Sequence, residues 1–272
     1  MSDRREVVVS GAYDDIRSRD LRFLEEASKL GRLTVLLRRD EGALKITGTA
    51  PKFPLAERKY VLDAIRYVGK VVIAGASCKA DELPPGLPVD VWADFGPTAS
   101  SRRLAFCEAR GIAYRPFGDH ELDGFPELPP VTTRSRRKRI IVTGCFDWLH
   151  SGHVRFFEEV ASYGDLYVVV GHDANIRLLK GDGHPLQPQD ERRYAVASVK
   201  YVKQATISSG DGWLDAEPEI RKMKPDIYAV NEDGDRGAKR QYCRANGIEY
   251  LVLCRTPAQG LPRRSSTDLR GF

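Results

Sequence analysis

Two histidines three positions apart, His150 and His153, are the residues in this chain best placed to do chemistry. They stand in a turn with Gly152 between them and Asp147 just before. Arg139–Thr143 is a short β-branched run ending at Gly144, the pattern of a buried strand that stops at a site. Val154, Phe156, Phe157 and Val160 then recur at roughly helical spacing. Residues i and i+3 of an opening helical turn share a face, so the pair is expected to face the crevice outside the strand end. Free N–H groups and the helix dipole favour a phosphate there, and Gly152 lets the backbone approach a ligand closely. An isolated histidine is usually a satisfied core residue. Two of them in a glycine-rich strand-to-helix turn beside an aspartate point to a site.

Further candidates follow in order. Lys180 lies in Leu178–Gly183, read as a glycine-rich loop from which a flexible ammonium reaches a triphosphate. Asp233 sits in the polar loop Val230–Gly234. Near the C-terminus, Ser265, Ser266 and Thr267 form an N-cap cluster with Arg270 one turn on. That second helix start offers hydroxyls, N–H groups and a guanidinium to phosphates.

Gly144, Phe146, Asp147, His150, Gly152 and His153 reproduce the run G-x-F-D-x-x-H-x-G-H. The chain thereby resembles the nucleotidyltransferase superfamily that includes the glycerol-3-phosphate, phosphocholine and phosphoethanolamine cytidylyltransferases. The resemblance carries over to several positions. Lys180 falls where relatives keep a phosphate-binding lysine. Arg192 falls on the arginine that opens their next helix. Asp233 matches an acid of their strand-end loop, although Asn231 replaces the usual glycine. Arg264–Arg270 resembles their second signature, I-S-S/T-T-x-x-R. Cys254-Arg255-Thr256 echoes their Arg-Thr run, but an insertion separates it from the serines. Lys203 and Gln204 replace an acidic pair that supports a dimer contact in relatives.

The resemblance implies attack by an acceptor phosphate on the α-phosphorus of a nucleoside triphosphate, with loss of pyrophosphate. His150, His153 and Lys180 are then the catalytic candidates. Gly144, Cys145, Phe146, Gly152, Arg192, Ser265, Ser266, Thr267 and Arg270 are the nucleotide-binding ones. Asp147, Asp173 and Asp233 are assigned to the acceptor. Mg²⁺ is the expected cofactor, carried by the triphosphate without a dedicated protein cage. CTP is favoured as donor, with a small phosphate- or phosphonate-bearing acceptor. The alternatives are a sugar-phosphate adenylyltransferase using ATP and a nucleotide-binding regulator without turnover.

Length and composition agree with an enzyme of this kind. A chain of 272 residues holds one large or two ordinary domains. Five cysteines without paired close spacing argue against a disulfide framework and a zinc site. No stretch reads as a membrane span or signal peptide, so a cytoplasmic location is expected. The net charge of +5 suits a polyanionic small molecule. The basic run Arg134–Arg139 follows a proline-rich stretch and lacks aromatic interleaving, so it reads as a solvated linker and no nucleic acid partner is expected.

The first half repeats the second. Gly11, Tyr13 and Asp14 align with Gly144, Phe146 and Asp147, and Phe23–Glu26 with Phe156–Glu159. Further segments match in the same order at a spacing of roughly 130 residues, a domain-sized period. Alternating strand and helix signals predict an α/β chain of two Rossmann-like, doubly wound parallel-sheet domains from an internal duplication. The expected boundaries are residues 1–128, a linker over 129–138, and an active domain over 139–272. In the first copy Arg17, Arg19 and Asp20 replace the His-x-Gly-His positions. Asp20 puts negative charge where phosphate should sit, so this copy is expected to be inactive. The two copies are expected to pack as an intramolecular pseudo-dimer.

Overall fold

The computed structural model describes residues 4–96, 99–131 and 135–269. The chain divides into two compact units, Met1–Gly124 and Phe125–Phe272.

The first unit contains β1 (Glu6–Gly11), α1 (Ser18–Lys29), β2 (Arg32–Leu37), α2 (Asp40–Thr47), α3 (Leu55–Asp63), β3 (Lys70–Ile73), β4 (Val91–Phe95), α4 (Ser101–Glu108) and β5 (Ala113–Phe117). Its strands lie in the order β3-β2-β1-β4-β5, all parallel. The central strand is apolar on both faces, with Val7, Val8 and Val9 fully buried. Such two-sided burial is what a parallel sheet covered by helices requires.

The second unit contains β6 (Arg139–Gly144), α5 (Ser151–Tyr163), β7 (Asp165–Val170), α6 (Asp173–Lys180), α7 (Gln189–Ala197), β8 (Val202–Ile207), α8 (Glu217–Met223), β9 (Ile227–Asn231), α9 (Gly237–Ala245), β10 (Glu249–Leu253) and α10 (Ser266–Leu269). The order is β8-β7-β6-β9-β10, again parallel throughout. Both units are thus α/β doubly wound sheets. The chain reverses direction of winding at the central strand, β1 in one unit and β6 in the other. Ligands of such sheets bind at the crevice outside the carboxyl ends of the strands at that point.

Two elements differ from the sequence reading. The stretch around Lys180, taken as a loop, is helical up to that residue and turns at Gly181, whose φ is +85°. Its helical pattern is hidden because Leu178 and Leu179 point outward. Residues 213–222, whose sequence predicts one helix, instead form part of a 3₁₀ turn over Gly212–Leu214 followed by α8. Pro218 accounts for the break, because proline is accepted in the first turn of a helix and not in its interior. Among the described residues no helix is long and apolar enough to cross a membrane.

Candidate functional site

The site of the second unit is built on the turn between β6 and α5. Phe146 takes a left-handed backbone, φ +51°, and its ring folds back over Gly144. A Cβ on Gly144 would lie 2.8 Å from that ring, so only glycine fits. Phe146 is buried and meets the His153 ring edge-on, centroids 5.3 Å apart. The sequence reading placed Phe146 among nucleotide contacts. In the structure its ring supports His153 from beneath.

His150 is the N-cap of α5, and its Nδ1 accepts the Gly152 N–H at 3.1 Å. An Nδ1 that accepts leaves the proton of the neutral ring on Nε2. That nitrogen lies 3.4 Å from Ser266 Oγ at the start of α10. His150 and His153 stack face to face, centroids 3.9 Å apart and 25° from parallel. Burial, then the neighbouring His153, drives the His150 pKa well below its ordinary value. Burial and the charge of Arg255 lower His153 to about 4. At neutral pH the free protein therefore holds two uncharged imidazoles, able to donate without adding repulsion between themselves.

Gly152 has a further reason beyond ligand approach. A Cβ there would meet the Arg264 carbonyl at 3.0 Å and the His150 ring at 2.9 Å. The missing side chain is what lets the C-terminal segment lie against the start of α5. Leu269 is fully buried and anchors that segment. Ser265 is half-buried, and its carbonyl accepts the Leu269 N–H at 3.2 Å. The side chain of Thr267 and the whole of Arg270 lie outside the described residues.

Arg255 ties the segment down. It donates to Asp233 Oδ2 at 2.6 Å and to the Arg264 carbonyl at 3.1 Å. Asp233, expected to meet the acceptor, thus has its carboxylate paired with Arg255. Arg255 was the residue undervalued from sequence; its Arg-Thr context was the available signal. Lys180 is exposed, and its positive charge acts on both Cys145 and His153. The Cys145 thiol is pushed upward by burial, which makes it a poor nucleophile.

Three other expected ligand contacts are engaged by the protein's own groups. Arg192 is fully buried. It donates to the carbonyls of Gln187 (2.9 Å), Cys145 (2.6 Å) and Gly171 (2.8 Å), and to Asp173 Oδ1 (2.7 Å). With those donors engaged it is a bolt between loops, and Asp173 is its counter-ion. Asp147 Oδ1 accepts the N–H groups of Leu186 (2.7 Å) and Gln187 (3.0 Å). The first unit repeats this framework. Asp14 accepts from Lys52 (2.7 Å) and Phe53 (2.9 Å). Arg58 bonds the carbonyls of Phe53, Ala12 and Arg38, and Asp40.

A model of the family described as cytidylyltransferase-like matches residues 141–271. The FAD synthase of Methanocella paludicola is 34% identical over 135 residues, covering 48% of this chain and 93% of that protein. The chain belongs to the cytidylyltransferase-like family. The FAD synthase of Ferroglobus placidus is 36% identical, covering 43% of this chain and 74% of that protein. The bifunctional protein HldE of Campylobacter concisus is 32% identical, covering 49% of this chain and 29% of that protein. The chain therefore spans under a third of the length of HldE. The family match falls on the unit that carries the two histidines. Among the described residues of this cytidylyltransferase-like enzyme, no group of three or more His, Cys, Asp or Glu side chains could hold a metal.

Proposed function

We propose that the second unit transfers an adenylyl group from ATP to the phosphate of a small acceptor and releases pyrophosphate. The reading rests on one observation above all, the meeting of the stacked His150–His153 pair with Ser266 at the carboxyl edge of β6. ATP takes the place of the CTP expected first. A FAD synthase, by its name, makes a dinucleotide whose one half is an adenine nucleotide, and two such enzymes are among the relatives.

A phosphate monoester is already anionic at neutral pH, so the acceptor needs little help from a general base. Catalysis is then positioning and charge stabilisation. The Nε2–H of His150, with His153 and Lys180, donates to the oxygens of the α-phosphate as negative charge builds there. Ser265, Ser266 and the N–H groups at the start of α10 receive the departing pyrophosphate. Asp147, Asp173 and Asp233 are engaged by the protein, so an Mg²⁺ ion would come with the triphosphate and would supply charge neutralisation there. Nucleoside triphosphates are abundant in the cytoplasm, and we place the enzyme there.

The first unit is, in our reading, a duplicated copy without turnover. It shares the strand order and the Asp–Arg framework. At its equivalent of the histidine turn, Asp20 accepts the N–H of Arg17 at 2.9 Å. Arg19 lies over the Phe95 ring, 5.0 Å from its centroid. Side chains thus stand where a nucleotide would go.

The decisive experiment is a pyrophosphate-release screen of ATP, CTP, GTP and UTP against phosphate and phosphonate acceptors, flavin mononucleotide included. We expect release with ATP and one acceptor class. Faster release from CTP with every acceptor would sink the adenylyl reading. Tight nucleotide binding without release from any pair would favour the regulator.

A further inference from the structure

At the carboxyl ends of β2 and β3 the first unit opens into a cavity of roughly 650 Å³. Its lining includes Arg38, Arg39, Lys45 and Lys79 and one carboxylate, Glu41; Lys79 is paired with Glu82 at 3.1 Å, which leaves Arg39 and Lys45 as the cations open to a ligand. Arg38 is buried and donates to the carbonyls of Cys78 (3.1 Å), Lys79 (2.9 Å) and Ala80 (3.1 Å). It thereby shapes the loop that follows β3. Among the described residues Arg39 donates only to the Ala74 carbonyl, at 3.2 Å. Among the described residues no carboxylate lies within ion-pair distance of Arg38, Arg39 or Lys45. On the loop itself, the N–H groups of Gly75, Ala76 and Ser77 make no hydrogen bond within the described protein.

The matching place in the second unit is closed. There His172 Nε2 meets the Gly210 carbonyl at 2.9 Å. The Asn175 amide bonds Gly212 in both directions, at 3.0 and 2.8 Å. These neutral bonds seal α6 to the loop after β8. In the first unit Arg39 stands in place of His172, and the loop after β3 is held by the guanidinium groups of Arg38 and Arg39 on its carbonyls instead. One fold position is shut by neutral hydrogen bonds, and its counterpart is open and cationic.

Free N–H groups, a hydroxyl, a guanidinium and an ammonium around one opening are the recognition set of a phosphoryl dianion. The cavity volume is in the range of small-molecule sites, larger than an inorganic ion needs. We infer that the first unit binds a phosphate-bearing small molecule between the 75–79 loop and the start of α2. This unit has then lost the nucleotidyl-transfer turn while keeping, at a different strand end, a site for a phosphate ester. The inference does not depend on which nucleotide the second unit uses.

The test is calorimetric titration of the full chain with inorganic phosphate, ribose 5-phosphate and AMP. Two binding sites are expected. The double variant Arg39→Gln, Lys45→Gln should weaken one of them at least tenfold and leave the other unchanged. Ala76→Asp alters an exposed residue and adds a repelling carboxylate, so it should do the same with an unchanged melting temperature. His153→Asn should weaken the other site only. Tighter binding of AMP than of ribose 5-phosphate at the first-unit site identifies a nucleotide as the natural ligand, and equal affinity identifies the phosphate ester alone. Unaltered binding in both first-unit variants, or loss of all phosphate binding in His153→Asn, overturns the inference.

Discussion

The Nε2 of His150 and the Oγ of Ser266 lie 3.4 Å apart although 116 positions separate them in the chain. The contact joins the N-cap of α5 to the first residue of α10, so two helix starts face one volume. Each start alone is a weak anion site. In the proposed reaction these two starts and the neutral imidazoles take the polyphosphate from two directions.

That arrangement makes His153 testable separately from the fold. Its ring contributes no N-cap, unlike that of His150. His153→Ala should lower kcat by about 10²–10³-fold, the usual cost of one transition-state donor. The melting temperature should move little. Steady-state kinetics beside thermal unfolding check this, and near-wild-type turnover would remove His153 from the mechanism.

Gly152→Ala separates positioning from chemistry. The added Cβ meets the His150 ring at 2.9 Å and the Arg264 carbonyl at 3.0 Å, so the ring and the C-terminal segment must give way and the approach of Ser266 to His150 is disturbed. A displacement of an ångström costs on the order of 10²-fold in rate. Turnover should fall while circular dichroism stays unchanged. A fully active alanine variant would mean that the segment adapts without loss.

Arg192 should behave quite differently from a ligand contact. Its removal leaves three carbonyls and Asp173 without their donor in a buried place. Arg192→Met should destabilise the second unit by about 3–5 kcal/mol, as Arg58→Met should the first. Denaturant unfolding reads the effect. A variant with wild-type stability and only a raised KM would return Arg192 to the nucleotide.

The bonds of Arg192 show where the sequence stops being informative. Strand–helix alternation, the glycine-rich histidine turn and the Ser-Ser-Thr cap all rest on local pattern, and local pattern is what a sequence displays. Whether a buried guanidinium faces a phosphate or a ring of carbonyls depends on loops brought together from residues 145, 171 and 187. The repeat held the missing clue. Asp14 and Arg58 make the same bonds in a unit whose corresponding turn holds Arg17 and Asp20 in place of the histidines, so Asp147 and Arg192 belong to what the two units share, the framework. Arg255 was undervalued because residues 257–263 separate it from the serines in sequence, although the fold brings its side chain onto the Arg264 carbonyl. Helix α6 escaped notice because its leucines face solvent, which removes the periodicity that reveals most helices.

The last prediction concerns acid. In the unfolded chain both histidines take up protons near pH 6.5. In the folded chain burial holds His153 near 4 and His150 well below its ordinary value. Between those limits the unfolded state binds more protons, so stability rises with pH across that window and is lost as pH falls through it. Denaturant unfolding at pH 7, 6, 5 and 4.5 should show a progressive loss, and His153→Gln should make the slope shallower. A bound triphosphate places negative charge beside the pair, raises both pKa values and so takes up protons. Calorimetry near pH 6 in buffers of different ionisation heat should record that uptake with the wild type and less of it with His153→Gln. Binding heats independent of buffer would mean that the phosphates lie away from the imidazoles.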